Sequence, residues 1–131
     1  MFIALAGVQL GLLCLLGLNT SLSRGRHKVP GHFDPTDDKF KSLYAAQRAN
    51  GNQAEWGPAF AVMFIACHVL KAPTWILIVA LWATVGRLAL SYSLAFTDSL
   101  TKPTLMRRFG GVTTYLSGFI LTAFLVCSGL L

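Results

Sequence analysis

The chain has 131 residues, of which 54% are hydrophobic and only 12% charged, with a formal net charge of +6 and a mean hydropathy of +0.59. An ordinary soluble domain carries about 25% charged residues, so there is too little polar material here to cover a water-facing surface, and a soluble enzyme is excluded. At roughly 20 residues per membrane-spanning helix the length allows about four crossings, which predicts an all-α integral membrane four-helix bundle whose function sits among the helices or at their ends.

The spans are expected at about residues 2–19, 36–70, 73–96 and 104–131, in a single domain. The first has Gln9 as its one strongly polar side chain and closes on Asn19, Thr20 and Ser21. No Lys or Arg precedes Phe2 and no small-residue cleavage site follows, so it reads as a retained helix and not as a signal peptide. A long polar loop is expected between residue 19 and Pro35, carrying Arg24, Arg26, His27 and Lys28.

The second span begins with Asp34 as cap and Pro35 at the first helical position, while Asp37 and Asp38 favour the positive end of the helix dipole. It is polar over residues 39–55 and nearly all apolar over 56–70, as one long helix entering the bilayer partway along would be. Arg48, Asn52 and Glu55 then fall at or inside the headgroup boundary, with a kink expected at Gly57 and Pro58. A tight turn at Lys71, Ala72 and Pro73 leads to the third span, which Arg87 interrupts. The fourth follows the basic pair Arg107 and Arg108.

Nine of the eleven Lys and Arg lie between spans one and two or between spans three and four. The positive-inside rule puts both regions, residues 20–35 and 97–103, on the cytoplasmic side and both termini away from it. Topology accounts for these charges, so nucleic acid is not an expected partner, whereas residues 24–28 suit anionic lipid headgroups.

Ionisable groups inside a membrane usually face a bundle interior or a water-filled site. Arg48, Asn52 and Glu55 stand at i, i+4 and i+7 and share one helix face, extended by Tyr44 and Lys41. Two readings follow. In one, Glu55 neutralises Arg87 and the cluster only fixes packing. In the other, a cation, an amide and a carboxylate form a slot for a small zwitterionic peptide, with the apolar surface beyond Trp56 taking a lipophilic second substrate.

The run Arg48-Ala49-Asn50-Gly51-Asn52-Gln53-Ala54-Glu55, followed by Pro58, resembles the RAxxNxxE signature of the MAPEG superfamily, the membrane-associated proteins in eicosanoid and glutathione metabolism. Gly86-Arg87-Leu88 is similar to that family's third-helix arginine. The resemblance implies a homotrimer in which Arg48, Asn52, Glu55 and Arg87 hold glutathione, as co-substrate, between neighbouring protomers. It also implies a cation that favours the thiolate, for which Arg107, Arg108 and Lys102 are candidates, with Tyr92 as a further catalytic candidate. The implied activity is transfer of glutathione to lipophilic electrophiles or reduction of lipid hydroperoxides.

The chain departs from the family pattern after Arg87. Leu90 stands where relatives carry His or Tyr, Leu94 lies near the position of a further Tyr, Tyr92 is one residue out of register, and Asp98 is an unexpected acid near the site mouth. The superfamily also includes the five-lipoxygenase-activating protein, which presents lipid without conjugating it. The alternative is therefore a non-catalytic lipid-presenting or structural subunit of a larger membrane complex. A transporter-like polar path through Arg87, Glu55 and Asp98 is a weaker rival, since no inverted repeat is present.

The remaining polar and sulfur-bearing residues have plainer readings. Cys14, Cys67 and Cys127 are isolated in apolar spans and give no disulfide framework. His27 and His32 lack a completing cluster for a metal, and His68 lacks an opposed haem ligand. Gly7 and Gly11 form a GxxxG pair suited to close helix packing.

Overall fold

The computed structural model describes residues 1–28, 37–96 and 103–129. Four helices form an integral membrane bundle: α1 Phe2–His27, α2 Lys41–Val69, α3 Thr74–Phe96 and α4 Leu105–Gly129. The first packs chiefly on the second and the third chiefly on the fourth, and contact between α2 and α3 joins the two pairs. Three of them, α1, α3 and α4, are long and apolar enough to cross a membrane. The second is not among these, because its first half is polar. Its apolar part, residues 56–69, rises only about 21 Å against a hydrocarbon core of about 30 Å. One to two further turns, down to about residue 50, therefore lie at hydrocarbon depth.

The expected loop after residue 19 is corrected. Residues 20–27 continue α1, and the rest of that loop, residues 29–36 with His32, Asp34 and Pro35, lies outside the described residues. The extension survives because it packs on the polar half of α2. The hydroxyl of Thr20 donates to the Leu16 carbonyl at 2.9 Å and lies 3.1 Å from that of Ala46, while His27 Nε2 and Ser42 Oγ are 3.0 Å apart. Lys28 ends the helix in the left-handed conformation (φ 52°), with Arg24, Arg26 and His27 in the last turn complementing the dipole. A composition that reads as loop is thus overridden by a tertiary contact.

The start of the second helix moves as well. Asp37 accepts the backbone N–H of Lys39 at 2.9 Å and caps a 3-10 turn, Asp38–Phe40, from which α2 continues at Lys41. Lys71, at φ 50°, reverses the chain, and its N–H together with those of Leu70 and Ala72 closes on the last carbonyls of α2. The helix runs unbroken through Pro58. Thr104 starts α4, accepting the Arg107 N–H at 3.2 Å and pairing with Ser93 Oγ of α3 at 2.8 Å.

The core is layered along the bundle axis. At one end Phe2, Leu5, Phe60, Phe64, Ile76 and Leu121 form an aromatic and aliphatic cluster; at the other, Leu16, Ala49, Leu90 and Leu94 form a smaller one. Between them lies a buried polar layer of Gln9, Gln53, Thr84 and Arg87. The outer surface is apolar, as bilayer contact requires: Val62, Ile78, Leu88 and Phe119 are all well exposed.

Candidate functional site

Arg87 is fully buried (0% exposed), yet among the described residues no carboxylate pairs with it. The guanidinium is held by amides of α2. Its Nε and Nη2 both donate to Gln53 Oε1, at 3.1 and 2.6 Å; Nη2 also donates to the Asn52 carbonyl at 3.0 Å, and Nη1 to Asn52 Oδ1 at 2.8 Å. Guanidinium suits this position because its planar fork matches two acceptors at once and it is weakly hydrated. An arginine at the centre of a membrane helix costs roughly 2.5–3.5 kcal/mol, and interhelical side-chain bonds in membranes average about 0.6 kcal/mol each. Four such bonds, about 2.4 kcal/mol together, offset most of the burial of the charge and leave no surplus. Their main effect is to fix where the cation sits.

The support continues into α1. Gln53 Nε2 donates to the Gln9 side-chain oxygen at 3.1 Å and to its backbone carbonyl at 3.0 Å, Gln9 Nε2 donates to Thr84 Oγ1 at 3.3 Å, and that hydroxyl donates to the Ala80 carbonyl at 2.9 Å. Gln53 lies along its own helix over Gly57, where an added Cβ would come 2.6 Å from its Nε2. A glycine is required there to leave the amide room. Close by, α3 and α4 touch backbone to backbone: an added Cβ at Gly86 would strike Thr113, and one at Gly110 would stand 2.7 Å from the Gly86 carbonyl oxygen.

The sequence-predicted residues divide between this interior and the outer face. Asn52 is half-buried and bonded to Arg87, whereas Arg48 and Glu55 are exposed. Glu55 is near enough to Arg87 to interact electrostatically, but no hydrogen bond or ion pair forms between them. The neutralising pair of Glu55 and Arg87 is therefore not the arrangement adopted; neutral amides take its place. Arg107 is half-buried at the start of α4 and Arg108 is exposed. Tyr92 is exposed on the outer face of α3, its ring 5.1 Å from that of Phe96. Lys102 and Asp98 lie outside the described residues.

Beyond Glu55 the same face of α2 opens into an apolar groove against α4, of about 610 Å³, whose walls include Trp56, Ala59, Val62, Tyr115 and Phe119. Trp56 and Tyr115 meet edge to face, with ring centroids 5.1 Å apart. Tyr115 also lies within electrostatic reach of Arg87, which itself does not line the groove. Sequence reasoning had missed Gln53, Thr84 and Tyr115, and had noted Gln9 only as a lone polar side chain. A signal was present in the stripe Ala49, Gln53, Gly57, Phe60 and Phe64, which repeats at 4, 4, 3 and 4 and so places Gln53 toward the core.

No curated protein and no solved structure matches the chain. A family model does: that of the MAPEG family, over residues 2–127. With four helices, a membrane-facing exterior and a family model matching nearly its whole length, the chain belongs to the MAPEG family, whose general field is membrane-associated glutathione and eicosanoid metabolism.

Proposed function

We propose that the chain is a glutathione-dependent transferase or peroxidase of the membrane, binding glutathione at Arg48, Asn52, Glu55 and Arg87 and a lipophilic electrophile in the groove beside Trp56. One observation carries the reading: a single face of α2 runs without interruption from exposed Arg48, through Asn52 and exposed Glu55, to Ala59 and Val62 in the groove wall. Cation, amide and carboxylate answer the carboxylates, peptide bonds and ammonium of glutathione. The groove one turn further on receives a substrate arriving laterally from lipid. The open sides of the groove and of the charged face support a homotrimer in which neighbouring protomers complete the site.

The chemistry asked of the site is modest. A thiol of pKa about 8.5 is mostly protonated at neutral pH, and each unit by which a nearby cation lowers it is worth roughly 1.4 kcal/mol. In conjugation the thiolate sulfur forms a bond to the electrophilic carbon while the leaving group departs with its electron pair. In peroxide reduction two glutathione thiols become a disulfide as the hydroperoxide becomes an alcohol and water. Arg107 and Arg108, at the basic end of α4, are the candidate activating cations, with the basic connections on the cytoplasmic side.

A second reading is favoured by Leu90 and Leu94, which are buried in the apolar cluster with Leu16 and Ala49 and present no polar group to a substrate. It is a lipid-presenting or structural subunit on the same fold. Calorimetric titration of glutathione into detergent-solubilised protein, paired with a conjugation assay on a chlorinated aromatic electrophile, tests both. Saturable binding with a rate above solution supports the enzyme, and binding without rate supports the subunit. Absence of binding, or equal binding by Arg48→Ala and Glu55→Ala, overturns the glutathione site.

A further inference from the structure

We propose that Gln53 is the positioning residue of this site: it holds the Arg87 guanidinium in place without neutralising it, so that its charge is kept for an anionic group of the ligand. The inference rests on the glutathione reading for the identity of that ligand, and on geometry for the rest.

A guanidinium carries five N–H groups. Four are used, two on Gln53 Oε1 and two on Asn52, and the fifth, on Nη1, has no partner among the described residues. Nη1 is the nitrogen bonded to the side chain of Asn52, the half-buried residue between exposed Arg48 and Glu55. At 0% exposure the guanidinium reaches the outer face by its charge and not by a bare donor, and the Asn52 side chain takes one end of it. Gln53 takes the other end, and its orientation is fixed from behind. Its Nε2 donates to Gln9, so its oxygen must face Arg87; Gln9 Nε2 donates to Thr84, so the Gln9 oxygen must face Gln53. Every amide in the chain points its negative end toward the cation.

Dipoles arranged this way solvate a charge but leave its monopole intact, whereas a carboxylate at position 53 would cancel it. Arg48 and Glu55 balance on the exposed face of α2, so the buried Arg87 behind it leaves one positive charge uncancelled. An anion is what such a face selects.

Gln53→Glu is the test, because it preserves shape and supplies a stronger acceptor for both Nε and Nη2. A residue with a purely structural role would bind ligand as well as before, or better. The inference expects unfolding at or above the wild-type temperature together with glutathione affinity lowered at least about tenfold, as the uncancelled charge is lost. Gln53→Met, neutral and of similar length, is expected to unfold earlier and to lose affinity by less than the Glu variant. A second readout does not depend on glutathione. With Trp75 and Trp82 replaced by Phe, iodide quenching of the remaining Trp56 should fall in Gln53→Glu while acrylamide quenching stays unchanged.

Undiminished affinity in Gln53→Glu, or an equal loss in Gln53→Met, overturns the inference. Should the wild type bind no glutathione, the functional reading fails, and the iodide comparison alone decides this one: reduced quenching sustains it and equal quenching overturns it.

Discussion

Replacing Gly110 by Ala should separate α3 from α4 and destabilise the bundle by about 2 kcal/mol, a sum of opposed terms. A Cβ there would lie 2.7 Å from the Gly86 carbonyl oxygen, 2.7 Å from Leu90 Cβ and 2.8 Å from the Leu90 backbone nitrogen. Favourable contacts between carbon atoms need about 3.5–4.0 Å, so the helices must part by close to 1 Å. Two of the three obstacles are backbone and have no rotamer to change, which puts the cost at the upper end of the usual overpacking range, about 3 kcal/mol. Ala returns up to about 1 kcal/mol of helix propensity. Gly111→Ala is the internal control: nothing stands within 4 Å of its Cβ, so only the propensity gain remains and the variant should be slightly more stable than the wild type. Unfolding in detergent followed by far-UV circular dichroism reads both, and Gly110→Ala unfolding together with or after Gly111→Ala would refute the argument. Gly86 adjoins Arg87, so the same variant is expected to weaken glutathione binding as α3 shifts against the groove wall.

Arg48→Ala and Glu55→Ala, at exposed positions without partners among the described residues, should each lower glutathione affinity at least about tenfold while changing stability by less than about 0.5 kcal/mol. Asn52→Ala should lose both affinity and about 1–2 kcal/mol of stability, because its Oδ1 accepts from Arg87 at 2.8 Å. Calorimetry and thermal unfolding on the same preparations separate the two classes. Gly118→Leu, placed in the wall of the groove, should raise KM for a lipophilic electrophile while leaving glutathione affinity unchanged. Ser91 Oγ is buried and unpartnered, so Ser91→Ala should leave the melting temperature equal or raise it, by the equivalent of up to about 1 kcal/mol.

The bundle was legible because bilayer solvation writes itself into composition: three helices announce themselves by their length and hydropathy, and the fourth by its signature. What composition does not carry is where a polar segment is held by a neighbour. Residues 20–27 read as loop by residue type, and they are helical because Thr20 and His27 meet Ala46 and Ser42 across the bundle. The same limit applied at the site. The positions of Arg48, Asn52 and Glu55 on one face followed from helical spacing, but spacing along one helix is silent on which neighbour answers Arg87. Glu55 was the electrostatically obvious partner. The adjacent, core-facing Gln53 takes that place because a 100° step round the helix turns its amide inward, where Gln9 and Gly57 hold it.

This division of labour along α2 has a physical rationale. At hydrocarbon depth a cation and a carboxylate in contact would form a closed pair, satisfied and inert, from which a ligand would have to tear one partner at a cost of several kcal/mol. Amides avoid that trap. Their bonds to the guanidinium are charge-assisted and hold the helix in place, yet they carry no net charge and leave that of the guanidinium uncancelled for a charged ligand group. Holding Arg87 by Gln53 and Asn52 leaves Glu55 on the outer face without a partner among the described residues, and so leaves one carboxylate and the Arg48 cation available about two turns apart on the same helix face. A site for a zwitterion needs both signs uncommitted at once, and in a membrane that condition is met only when neutral dipoles stand between them.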